Sequence, residues 1–155
     1  MSPQELELLH LTTALRTQMV DSLTDADLAF TFPNNPTLGE LCREMGNVER
    51  SYIDSFKTFK QVWDVRNVER GVEGSVERLK AWYEALDEEL DAALQAIPDS
   101  DFQTKMVDRG GGHMMPLGAH FHTYREAILI FCGKCSVYLR TINKPLSEQW
   151  QAWIG

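Results

Sequence analysis

The stretch from His120 to Arg140, HFHTYREAILIFCGKCSVYLR, is the most apolar part of the chain and constrains its fold more than any other. Leu117, Phe121, Tyr124, Ile128, Phe131, Cys135 and Tyr138 step by four, three, four, three, four and three, the spacing of a helix face packed against other helices. Ile128, Leu129, Ile130 and Phe131 in a row make neighbouring faces apolar too, so this helix is expected to be enclosed on more than one side. It is long enough to cross a bilayer, but Arg125, Glu126, Lys134 and Arg140 interrupt it, and it reads as the central helix of a soluble bundle.

Three further helices surround it in the reading. Ser2, Pro3 and Glu5 make a capped start for a first helix running to about Ser22, with Leu8, Leu11, Leu15 and Met19 as its apolar face and His10 off that face, in solvent. Residues 23–36 are turn-rich. Thr37 and Glu40 then form a capping box, and Leu38, Leu41, Met45, Val48, Tyr52, Phe56 and Phe59 repeat at helical spacing. Between Lys60 and Ser75, where Gly71 and Gly74 fall, the pattern decays into a long, partly helical loop of the kind that borders a site. Val76, Leu79, Tyr83, Leu86, Leu90, Ala93 and Ile97 define a third helix that Pro98 ends. Its other faces are acidic and read as solvated. A second loop from Asp99 to Met115 carries Gly110 to Gly112, and Pro116 opens the central helix. Ser147 caps a short last helix whose Trp150 and Trp153 are expected to cover the bundle's end. The expected fold is all-α: one domain over residues 1–155, a four-helix bundle with a short C-terminal helix and at least one crossover connection.

Charge narrows the function classes. Asp and Glu outnumber Lys and Arg by 23 to 15, a formal charge of −8, which argues against a phosphate-backbone partner. The start of the chain lacks a basic-then-apolar leader, and three cysteines are an odd number, so a cytoplasmic protein with free thiols is expected. Cys132-Gly-Lys-Cys135 has redox spacing, but it falls inside a helix with no strand before it and continues the core stripe, so both thiols read as small buried hydrophobes. His120 and His122 point about 200° apart on a helix and cannot chelate one ion. His122 with Glu126 reads as an exposed helical pair. About 15 Å of helix separates His122 from Cys132, too far for one zinc site. Gly133 in mid-helix costs about 1 kcal/mol relative to Ala and suggests a close helix–helix approach.

Three stretches, SLTDADLAFTFP (22–33), TLGELCREMGNVERSY (37–52) and FCGKCSVYLRTINKP (131–145), resemble the DinB-like superfamily of four-helix bundles, which includes metal-dependent, thiol-using transferases and isomerases. In that family a histidine on the second helix and an HxxxH pair on the fourth hold a divalent metal. The resemblance places Glu44, Ala127 and Phe131 at those three positions. It therefore implies a kept scaffold, a lost metal site with no cofactor, and a homodimer, as family members often are. Glu44 at the edge of its helix's core-facing stripe, with His120 and Tyr124 on the central helix, forms a possible polar cluster at the bundle's inner mouth. It reads either as a buried carboxylate satisfied by its neighbours or as a rebuilt ligand or acid/base site. The expected function is a non-catalytic small-molecule-binding or interaction protein. The alternative is a thiol-dependent transferase or isomerase built on those three residues.

Overall fold

The computed structural model describes residues 1–64 and 69–155. Four long helices make the bundle: α1 (Pro3–Asp21), α3 (Leu38–Thr58), α4 (Val76–Gln95) and α6 (Leu117–Thr141). Short helices fill the connections: α2 (Asp25–Leu28) and α5 (Asp99–Thr104) lie between long ones, and α7 (Glu148–Trp153) ends the chain. The starts follow local chemistry. Ser2 and Thr37 form full capping boxes with Glu5 and Glu40, and Ser75 and Ser147 accept from Arg78 and Trp150 backbone N–H groups.

Side-chain contacts give the helix directions. His10 meets Asp91 and Lys80 meets Asp21, so α1 and α4 are antiparallel. Gly39 lies against Glu73 at one end of α3 and Lys57 meets Glu89 near the other, so α3 and α4 run parallel. Parallel neighbours need a connection that returns the length of the bundle, the crossover expected from the long loops. That connection holds a 3-10 turn at Val72–Gly74 with Val72 buried; residues 65–68 of the loop lie outside the described residues.

Two expectations are corrected. The second loop is not structureless: besides α5 it contains a hairpin of β1 (Met106–Asp108) and β2 (Met114–Pro116), turned by Gly110 to Gly112, all with positive φ. Backbone bonds from Gln61 to Asp108 and from Asp108 to Phe59 lay the end of the α3 connection alongside β1. Strands this short carry too little alternation to be legible. The inner face of α1 is also rotated from the Leu8–Leu11 stripe: those two are exposed, while Leu9, Thr12, Leu15, Arg16, Met19 and Val20 are buried. Arg16 and Thr12 face inward because they have polar partners there, so the buried face does not coincide with the leucines.

At the C-terminus Trp150 is buried and its Nε1 donates to the Leu15 carbonyl, closing the bundle's end as expected, whereas Trp153 stays exposed. Among the described residues no helix is long and apolar enough to cross a membrane.

Candidate functional site

A carboxylate is buried at the centre of the bundle, but it is Glu49. Glu49 follows Met45 by four residues and precedes Tyr52 by three, which places it on the core face of α3. There it pairs with the fully buried Arg16 of α1, whose other terminal nitrogen donates to Asp87 Oδ1 of α4 at 2.7 Å. The Arg16 guanidinium also lies 4.0 Å from the centre of the Tyr83 ring, and the buried Tyr124 hydroxyl beside Glu49 has no hydrogen-bond partner among the described residues. Burial, with help from Asp87, raises the Glu49 carboxyl to about 7 against the opposing pull of Arg16. Burial also opposes the charge on Arg16, yet Glu49 and Asp87 hold the guanidinium protonated.

His120 sits one turn before Tyr124 on α6. Its Nε2 is 2.7 Å from Ser55 Oγ, and its ring packs on Tyr52 and Phe56. Ser55 also donates to the Tyr52 carbonyl, so its oxygen can accept from Nε2 with the proton on that nitrogen, while His120 Nδ1 is buried with no hydrogen-bond partner among the described residues. Burial, together with the nearby Arg109 charge, lowers the His120 pKa to about 4 and keeps the ring neutral. Above it Arg109 reaches from the hairpin to Thr123 Oγ1 at 3.0 Å and pins the hairpin to α6.

Of the three residues expected to converge, the structure brings together His120 and Tyr124, both packed on the Tyr52 ring, and leaves Glu44 apart. Glu44 is exposed, five residues before Glu49 and on another face of α3. The buried carboxylate beside Tyr124 is therefore Glu49, and its signal was its own place on the Met45–Tyr52 stripe. Arg16 left no such signal, since an arginine among leucines reads as surface.

Glu44 belongs to a different feature. Between α3 and α6 lies a groove of about 170 Å³ lined by Glu44, Met45 and Val48 from one helix and Ala127, Ile130, Phe131 and Lys134 from the other. It runs on into a wider groove of about 700 Å³ with Phe32, Pro36, Val137 and Tyr138, and Leu41, Glu44 and Lys134 line both. Phe30, Phe32 and Tyr138 stack edge to face at its far end, where the Tyr138 hydroxyl donates to the Pro36 carbonyl. The positions matched to the family's metal ligands, Glu44, Ala127 and Phe131, thus line one groove together. They present one carboxylate, one methyl and one phenyl ring.

His120 is buried and His122 exposed, as residues two apart on a helix must be, and among the described residues no cluster of three His, Cys, Asp or Glu is placed to hold a metal ion. Cys132 and Cys135 are buried with Cys42, and burial raises the Cys132 thiol to about 12. Gly133 departs from expectation, because a Cβ added there would meet no atom within 4 Å.

A family-model match to the DinB superfamily covers residues 8–128, well over half of the chain. The chain belongs to the DinB superfamily. The match takes in α1, α3, α4 and the first half of α6, so it includes Glu44, Glu49 and Ala127 and stops just short of Phe131. None of the curated proteins is similar enough to this DinB-superfamily chain to count as a match.

Proposed function

We propose that this DinB-superfamily protein is a non-catalytic small-molecule-binding protein whose ligand lies in the groove between α3 and α6, where relatives hold a metal. The observation that carries the reading is the lining of that groove. A divalent metal needs several lone-pair donors converging within about 2–2.5 Å, and neither Ala127 nor Phe131 has one. Lys134, also in the lining, adds a positive charge that disfavours a second one nearby. Such a donor set does not fit the family's metal. What it fits is an apolar body against Met45, Val48, Ile130 and Phe131, with a polar end near Glu44 or Lys134. The transferase reading loses its support, because His120 and Tyr124 are enclosed in the core while Glu44 faces the groove.

The test is a fluorescence titration with 1-anilinonaphthalene-8-sulfonate, an aromatic body bearing one anionic group, on the native protein and on Ala127→Trp, which fills the groove from α6. Saturable binding at one site per chain, abolished by Ala127→Trp with the fold retained by circular dichroism, is the expected result. Binding that is absent, or indifferent to the tryptophan, contradicts the proposal.

A further inference from the structure

Glu44 and Lys134 stand where the two parts of the α3–α6 groove meet, since each residue lines both parts. On one side of them the arm of about 170 Å³ offers Met45, Val48, Ile130 and Phe131. On the other the arm of about 700 Å³ offers Phe32, Pro36 and Val137. Glu44 comes from α3 and Lys134 from α6, so opposite charges face the groove from opposite walls. Among the described residues neither makes an ion pair. Neither has an opposite charge four residues away on its own helix: Glu40 and Val48 flank Glu44, and Ile130 and Tyr138 flank Lys134. The waist of the groove therefore holds an acceptor and a donor that the protomer leaves unused.

This arrangement selects the polar group of a ligand. A net charge gains from one wall and loses to the other, whereas a neutral group with a donor on one side and an acceptor on the other gains from both. A trans secondary amide is such a group: its N–H and C=O point in opposite directions, and its two substituents leave across them, along the groove. The N–H can donate to Glu44 and the carbonyl can accept from Lys134. A peptide would add another amide about 3.5 Å further along in each direction, and the arms do not answer it. In the wider arm the Tyr138 hydroxyl and the Asn35 amide already donate to the Pro36 and Pro33 carbonyls. In the narrower arm the side chains beyond Glu44 and Lys134 are all apolar. We infer that the ligand is an N-acyl amine, its single secondary amide held between Glu44 and Lys134 and an apolar group seated in each arm. The inference rests on the reading of this groove as a ligand site and specifies the chemistry of what it takes.

The test compares N-benzylbenzamide with benzyl benzoate, which replaces the amide N–H by an ester oxygen, as competitors of 1-anilinonaphthalene-8-sulfonate. The ester is the more apolar of the two, so burial alone would favour it. The native protein is expected to bind the amide at least about tenfold more tightly. Glu44→Leu removes the acceptor and should erase that preference. Lys134→Met removes the donor to the carbonyl that both compounds share, so it should weaken both by a similar factor and leave the preference in place. Both side chains are exposed, and both variants should keep the native fold. An ester bound as tightly as the amide, a preference that survives Glu44→Leu, or indifference of both compounds to Lys134→Met would overturn the inference. In those cases fluorophore binding that Ala127→Trp still abolishes would leave the groove standing as a ligand site. Absence of fluorophore binding to the native protein would overturn that reading and the inference with it.

Discussion

Arg16 of α1 and Glu49 of α3 form a fully buried ion pair between helices on opposite corners of the bundle, with Asp87 of α4 as a second, partly exposed acceptor for the guanidinium. Removing one partner leaves the other's charge uncompensated in the core. Glu49→Ala and Arg16→Met are each expected to cost about 3–5 kcal/mol in urea unfolding, whereas an apolar replacement of both, Arg16→Met with Glu49→Leu, should recover most of the loss. Singles that unfold like the native protein would show that the pair contributes nothing.

His120 makes stability pH-dependent in a defined direction. Its folded pKa of about 4 lies below the ordinary value of 6.5, so between those two values the unfolded chain binds more protons. The stability it contributes is present above about pH 6.5 and is lost as pH falls toward 4. Glu49, raised to about 7, acts oppositely and gains stability as pH falls below its folded value. The two windows overlap, so the His120 contribution must be read by difference. The unfolding free energy of the native protein minus that of His120→Gln should shrink between pH 7 and 4, and a constant difference would refute the assignment.

Gly46 sits under the Trp82 ring, where a methyl group would overlap the indole. Gly46→Ala is expected to destabilise by about 1–3 kcal/mol through overpacking, even though alanine is the better helix former. Gly133→Ala, with open space around it, should do the reverse. Equal effects at the two sites in thermal unfolding would contradict the packing described.

Cys42, Cys132 and Cys135 are buried, and burial holds the Cys132 and Cys135 thiols in the protonated, unreactive form. An aromatic disulfide reagent should label none of them rapidly in the native protein and all three in denaturant. Fast native labelling of either CxxC thiol would reopen the redox reading.

The bundle was legible because its signals are local and repeated: capping boxes at Ser2 and Thr37, the unbroken three-four rhythm from Val76 to Ile97, and the stripe from Leu117 to Tyr138. The resemblance identified Glu44, Ala127 and Phe131 as one set, and the groove gathers them. What stayed hidden depends on partners far along the chain. Arg16 faces inward only because Glu49 waits there, 33 residues away, and nothing local marks it. Glu44 and Glu49 differ by five residues, enough to turn one carboxylate to the groove and the other to the core. The stripe test separates them only if the polar residue is allowed to count as core. The hairpin was missed because three-residue strands are held by pairing and by the turn at Gly110 to Gly112, without a periodicity of their own.

The most direct measurement is elemental mass spectrometry on untagged protein purified without added metal, alongside a variant carrying Ala127→His and Phe131→His. The account predicts near-zero metal in the native chain and stoichiometric zinc in the variant, whose two imidazoles, four residues apart, would face the groove beside Glu44. Stoichiometric zinc, nickel or iron in the native protein would contradict it, and would mean that this groove, or another set of side chains, still holds the metal.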